Sequence, residues 1–84
     1  MNKLFPLEFQ KALVNHEMDY ARLAKAMNRH GYKLSKQFLG MIGSGKRNAT
    51  PETMRRICEV MQCPELERRT LHIAAAKDVG YELP

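Results

Sequence analysis

Apolar residues recur three and four positions apart along most of this chain, which is the spacing of amphipathic helices. The first such stretch carries Pro6 in its opening turn, where a missing N–H costs nothing, and is predicted to end near Glu17. Asp19 is the predicted N-cap of a second helix, which Gly31 breaks. The N-terminal part of the chain is therefore predicted to form two short helices.

The remaining pattern predicts three further helices. Ser35 is placed to cap a third helix, which the glycine-rich cluster at residues 43–45 stops. Thr50 and Pro51 form a helix start, with Thr as the cap and Pro at the first helical position. Residues 63–65 begin a fifth helix that ends at residues 78–80. The apolar face predicted for this fifth helix comprises Leu66, Thr70, Ile73 and Ala74.

Strand-like alternation, internal repeats and interdomain linkers are missing from the pattern, so we predict one compact, all-α, five-helix domain spanning residues 1–84. A chain of 84 residues removes only about 60–65% of its unfolded surface from water, which leaves little room for an elaborate active-site cavity. It has two cysteines, no long apolar run and an early acid at Glu8, so we expect a cytoplasmic, nucleoid-associated protein without a membrane partner.

The net charge of +5 is strongly segregated. Residues 20–51 contain no Asp or Glu, and the acids lie in the flanking segments. A basic segment of this kind is either a solvated face or the surface that binds an anionic partner, and we favour the partner. Its seven cations are Arg22, Lys25, Arg29, Lys33, Lys36, Lys46 and Arg47.

Competing chemistries find less support in the sequence. Residues 40–46 (GMIGSGK) match a phosphate-binding loop, but Arg47 stands where Ser or Thr must ligate magnesium, and no strand precedes the segment. The cysteines and histidines lack the spacing that clamps zinc, and Cys58 is interpreted as a buried small hydrophobe. No nucleophile grouping is evident. We therefore expect neither an enzyme nor a cofactor, a metal or a small-molecule ligand.

Residues 34–54 (LSKQFLGMIGSGKRNATPETM) resemble the Cro and phage-repressor (XRE-like) helix-turn-helix family. With Leu23 and Ala24 of the second helix, the resemblance extends over residues 19–63. It implies a lambda-repressor-like five-helix DNA-binding domain that usually works as a dimer. The helix-turn-helix would span about residues 19–45, and the recognition helix about residues 35–44.

If Leu39 and Ile42 face the core, the opposite face of the third helix is free to enter the major groove of double-stranded DNA. Lysine donates to guanine, glutamine pairs with adenine, and methionine can contact a thymine methyl. The predicted base-contacting residues are Lys36, Gln37, Gly40 and Met41.

Other groups are predicted to bind phosphates, from side chains and from the N–H groups at helix N-termini. The resemblance implies such roles at the start of the second helix and in the loop after the third. The predicted phosphate-contacting residues are Tyr20, Arg29, Lys33, Ser35, Ser44, Lys46 and Arg47.

Residues 28–33 depart from the family pattern, because they form a longer connection than its usual tight turn. Either the second helix runs a further turn, or the extra residues form a basic wing beside the groove. Phe38 is also unusual and is interpreted as packing either on this insertion or on DNA. The two glycines of the third helix weaken it by about 1 kcal/mol each, unless a close approach of DNA requires them.

The expected function is transcriptional regulation, with a homodimer repressing by occupying a pseudo-palindromic operator. The alternative is a protein-interaction module that binds another regulator through its helical surface, whereas RNA binding is less favoured without aromatic pairs on a sheet. The predicted dimer-interface residues on the fifth helix are Leu66, Leu71 and Ile73.

Overall fold

The computed structural model describes residues 3–79, which fold into five helices and no strand. All five predicted helices are confirmed. Their bounds are α1 Leu4–Asn15, α2 Tyr20–Arg29, α3 Lys36–Gly43, α4 Pro51–Met61 and α5 Glu65–Val79. None of these helices is both long enough and apolar enough to span a bilayer.

Local capping fixes the start of three helices. The Asp19 carboxylate accepts a hydrogen bond from the amide of Arg22 at 2.8 Å, and Ser35 Oγ accepts one from the amide of Phe38 at 3.0 Å. Thr50 Oγ1 accepts from the amide of Thr53 at 3.2 Å, with Pro51 in the first turn. The three caps predicted from the sequence are therefore confirmed.

The start of α1 is capped from the other end of the chain. Lys3 precedes the helix without a side-chain cap, and the Asp78 carboxylate of α5 accepts hydrogen bonds from the amides of Leu4, at 2.7 Å, and Phe5, at 2.8 Å. A carboxylate at this end also opposes the positive pole of the helix dipole. Asp78 thus joins α1 to α5, the helix on which α1 mainly packs.

One apolar core holds the helices together, and none of its buried residues is polar or charged among residues 3–79. Within it, α3 contacts α1 and α2, while α4 packs on α2 and α5. The remaining face of α3 is consequently left uncovered by the described helices. The largest fully buried side chains are Phe9, Leu23, Met27, Leu39, Ile42, Met54, Ile57 and Leu71.

The face predicted for α5 is wrong except at Ala74, which is buried as predicted. Leu66 is 77% exposed and Ile73 36% exposed, whereas the helix packs through Leu71 and the alanines at residues 74–76. Leu71, at 1% exposure, is a core residue and is not available to a second subunit, which corrects its assignment to a dimer interface. Apolar residues occur on more than one face of α5, so periodicity could not identify the buried one.

Candidate nucleic-acid interface

The connection between α2 and α3 is a folded turn at residues 30–35. Gly31, at φ 88°, reverses the chain, and the Tyr32 amide donates to the carbonyl of Met27 at 2.9 Å. Asn28 Nδ2 donates to the Leu34 carbonyl at 3.2 Å and so joins the two sides of the turn. Of residues 28–33, Asn28 and Arg29 belong to α2, which ends at Arg29, and the others lie in the turn.

Tyr32 anchors this turn to α4. Its hydroxyl donates to Glu59 Oε2 at 2.6 Å, and the Arg56 guanidinium lies 4.9 Å from the centre of its ring. The hydrogen bond to Glu59 raises the pKa of Tyr32. This turn is thus tied to the body of the domain, and the cations Arg29 and Lys33 beside it remain exposed.

The outer face of α3 carries the predicted base-contacting residues. Lys36 and Gln37 are exposed in its first turn, and Gly40 and Met41 are half-buried one turn further on. Helical spacing places Gln37, Met41 and Ser44 along one edge. The prediction that Leu39 and Ile42 face the core is confirmed, since both are fully buried.

The N-terminus of α3 presents free hydrogen-bond donors. Ser35 Oγ and the Ser35 carbonyl accept from the amides of Phe38 and Leu39, which leaves the amides of Lys36 and Gln37 without an intrahelical acceptor. Ser35 uses its oxygen as the acceptor, so its hydroxyl proton stays available. This end of the helix can therefore receive an anion.

An open groove of about 550 Å³ runs between α2 and the start of α3. Its lining includes Lys25 and Arg29 from α2 and Ser35 and Lys36 from α3. Three cations and a helix N-terminus thus surround one recess, which gives it a positive potential.

All seven cations of residues 20–51 are exposed, and none has a carboxylate within 4.0 Å among the described residues. The ion pairs in residues 3–79 lie on other parts of the surface, such as Lys11 with Glu8 and Arg69 with Glu65. The basic segment is therefore not neutralised by the protein's own acids.

The loop after α3 is folded back on that helix. The amides of Lys46 and Arg47 both donate to the Met41 carbonyl, at 2.9 and 3.2 Å, so these residues can contact an anion only through their side chains. The Arg47 guanidinium lies 5.9 Å from the centre of the Phe38 ring. Phe38 thus packs partly on the core and positions Arg47, a role that the sequence analysis missed.

The hydroxyls of Ser44 and Tyr20 differ in what they can offer. Ser44 Oγ donates its only proton to the Met41 carbonyl at 3.2 Å, and its two acceptor lone pairs cannot bind a phosphate oxygen. Tyr20 accepts a hydrogen bond from Gln10 Nε2, so its own proton is free. The geometry therefore favours Tyr20 over Ser44 as an anion contact.

The Tyr20 ring leaves no room for a side chain at residue 43. A Cβ on Gly43 would lie 2.7 Å from Tyr20 Cζ. At Gly40 a Cβ would lie 3.8 Å from Tyr20 Cδ2, an ordinary van der Waals contact. The packing of α2 on α3 thus accounts for Gly43, without the close approach of DNA considered above.

Lys3 adds an eighth cation to this side of the molecule. Its Nζ donates to Asn48 Oδ1 at 2.6 Å, in the same loop as Lys46 and Arg47. No sequence signal indicated it, because the two partners are 45 positions apart.

No family model matches this chain, and no curated protein or solved structure is significantly similar to it.

Proposed function

We propose that this protein is a sequence-specific double-stranded DNA-binding regulator with a lambda-repressor-like helix-turn-helix formed by α2 and α3. The observation that carries the proposal is the exposed, acid-free basic surface around the uncovered face of α3. Duplex DNA complements it, because a helix fits the major groove and unpaired lysines and arginines release counterions from phosphates.

In the proposed complex, α3 enters the major groove by its N-terminal half. Lys36 and Gln37 contact base edges, Met41 contacts a methyl group, and Gly40 keeps the backbone close. Phosphate contacts come from Tyr20, the groove between α2 and α3, and the loop that carries Lys46 and Arg47. The exposed side chain of Lys33, in the turn before α3, is a further phosphate contact in this proposal.

We further propose a homodimer that represses by occupying its operator. Leu4, Leu7 and Ile73 line an open apolar groove of about 240 Å³ between α1 and α5, and Leu66 is exposed on the same helix as Ile73. Such side chains are suited to a two-fold contact, and two recognition helices would then read half-sites about one helical turn apart.

The test is selection of bound duplexes from a random-sequence pool at near-physiological salt, followed by sequencing. Enrichment of a pseudo-palindrome is expected for a dimeric regulator. Enrichment of a single asymmetric site would retain DNA recognition but contradict the dimer. If no sequence is enriched and binding falls uniformly with salt, sequence-specific regulation is wrong, and non-specific DNA binding or a protein-interaction module becomes the favoured function.

A further inference from the structure

Three side chains from separate parts of the chain meet at the end of the molecule where α1 finishes and α5 begins. His16 follows α1, Cys63 lies between α4 and α5, and Glu67 is in the first turn of α5. The nearest imidazole nitrogen, thiol sulfur and carboxylate oxygen all lie within 4.8 Å of one another. His16 Nε2 and Glu67 Oε1 are 2.6 Å apart.

Hydrogen bonds hold this cluster in place. The His16 amide donates to the Ala12 carbonyl at 3.0 Å, and the Cys63 amide donates to the Cys58 carbonyl at 3.0 Å. Asn15 Nδ2 donates to Glu67 Oε2 at 3.3 Å, which leaves Oε1 turned towards His16. The His16 and Glu67 side chains are 23% and 20% exposed, so an ion from solvent can reach them.

Electrostatic contacts couple the two thiols and Glu67 in this cluster. The hydrogen bond between the thiols, followed by burial and the hydrogen bond to Glu67, raises the pKa of Cys63, and the same thiol contact lowers the pKa of Cys58. Burial raises the pKa of Glu67, but hydrogen bonds from Cys63, His16 and Asn15 outweigh it, and the net pKa is lowered.

We propose that His16, Cys63 and Glu67 bind one divalent transition-metal ion of the zinc type, with a fourth position open to water. Imidazole, thiolate and carboxylate are the three ligand classes that zinc takes in proteins, whereas magnesium and calcium prefer sets of oxygens alone. On binding, the Cys63 proton is released to solvent, and the thiolate and carboxylate balance the two charges of the ion.

The distances require only a small adjustment. Metal–ligand lengths of about 2.0–2.3 Å place tetrahedral ligand atoms about 3.3–3.8 Å from one another. The three atoms lie within 4.8 Å of one another, so no pair needs to close by more than about 1.5 Å. His16 Nε2 and Glu67 Oε1, which are 2.6 Å apart, need to separate by about 0.7 Å. Cys63 precedes α5 by two residues and Glu67 lies in its first turn, and the fold brings both side chains to the start of that helix. The inference does not depend on DNA binding.

The bound ion would join the end of α1 to the start of α5 and fix the turn that leads into α2. That turn contains Glu17 at φ 53°, a left-handed conformation that non-glycine residues rarely adopt. A ligand that binds the folded state and not the unfolded one stabilises the fold by RT ln(1 + L/Kd), where L is the free ion concentration, so the Tm rises with the logarithm of L once L exceeds Kd.

The experiment uses the 84-residue chain, reduced and freed of metal, and titrates Zn²⁺ into it in competition with a chromophoric chelator. The titration is then repeated with Co²⁺. We expect one ion per chain, a rise in Tm with Zn²⁺, and a thiolate-to-cobalt charge-transfer band. The variants His16→Gln, Cys63→Ser and Glu67→Gln should each weaken Zn²⁺ binding by at least about tenfold, since loss of even an outer-shell partner costs that much.

Two control variants separate the ligands from their surroundings. His72→Gln, which removes a histidine of α5 outside the cluster, should leave Zn²⁺ affinity and the Tm shift unchanged. Cys58→Ser should retain the cobalt charge-transfer band, which Cys63→Ser should abolish. If wild type gives no such band, the proposal is wrong whether or not the variants fold. The proposal would also be wrong if the cobalt band were lost in Cys58→Ser but kept in Cys63→Ser. It would be wrong too if His72→Gln weakened Zn²⁺ binding as much as His16→Gln does.

Discussion

The ring of Tyr20 lies across Gly43, so that a Cβ on residue 43 would stand 2.7 Å from Tyr20 Cζ. This contact sets how closely the start of α2 approaches the end of α3. The Tyr20 hydroxyl also accepts a hydrogen bond from Gln10, which brings α1 to the same point. The orientation of the proposed recognition helix thus depends on a glycine that never needs to touch DNA.

Gly43→Ala is expected to destabilise the protein by about 1–3 kcal/mol, because the added methyl group overpacks the α2–α3 contact. Gly40→Ala is the matched control: its Cβ fits at ordinary contact distance, and alanine should gain up to about 1 kcal/mol of helix propensity. Urea unfolding of both variants measures the difference. Equal stabilities would contradict the role assigned to the Tyr20 contact.

Mutations should distinguish the residues that read bases from those that bind phosphates. Lys36→Ala and Gln37→Ala should each relax preference at particular base pairs, at a cost of about 1–3 kcal/mol for the preferred site. Arg47→Ala should weaken all sequences alike and lower the salt slope by about one. Binding isotherms on selected and scrambled duplexes at several salt concentrations distinguish the two behaviours.

Arg69→Ala provides the matched loss of one positive charge. Arg69 is exposed on α5 and lies 4.0 Å from Glu65, outside the basic segment. Arg69→Ala should change neither the sequence preference nor the salt slope of DNA binding measurably. Should Arg47→Ala alter preference at a single base pair instead, the division between base and phosphate contacts would have to be abandoned.

The hydroxyls of Tyr20 and Ser44 give a further prediction. Tyr20→Phe should weaken DNA binding by about tenfold, or about 1.4 kcal/mol, because it removes a proton free to bind a phosphate. Ser44→Ala should have little effect, since the Ser44 proton is already donated to the Met41 carbonyl. The opposite ranking in a direct binding assay would show that Ser44 exchanges its partner in the complex.

Asp78 should contribute to stability through α1, although it lies on α5. Asp78→Ala removes the acceptor of the Leu4 and Phe5 amides and should cost about 0.5–2 kcal/mol, the range for loss of a helix cap. Hydrogen exchange of those two amides should accelerate. Lys77→Ala, which replaces an exposed neighbour on the same helix, should leave the exchange of the Leu4 and Phe5 amides unaltered. Faster exchange of these amides in Lys77→Ala would contradict a specific cap by Asp78.

Glu67 should contribute to the acid sensitivity of the metal-free protein. Its folded-state pKa is lowered by hydrogen bonds that outweigh burial. Its stabilising contribution is therefore complete above the unfolded pKa of about 4.3 and is lost as the pH falls through the folded value. Glu67→Gln should reduce the fall in the free energy of unfolding below about pH 4.3. Urea unfolding at a series of pH values from neutral downwards measures that fall. A profile identical to that of wild type would exclude this contribution.

The sequence by itself determined the five helices and most of their ends. Asp19, Ser35 and Thr50 cap the helices that they were predicted to cap, because a cap needs only an amide two or three positions away. The sequence also showed the acid-free basic segment. It indicated the exposure of Lys36 and Gln37 as well, because Leu39 and Ile42 fix the inward face of α3. These features depend on neighbours within one or two helical turns.

Tertiary structure alone decided which face of α5 is buried, and it placed Leu71 in the core rather than at an interface. It also brought Asp78 to the start of α1, Lys3 to the loop after α3, and His16 beside Glu67. These partners are 45 or more positions apart, and no periodicity or local spacing relates them. Their contacts follow from how the helices pack, which is set by the shapes of apolar side chains in the shared core.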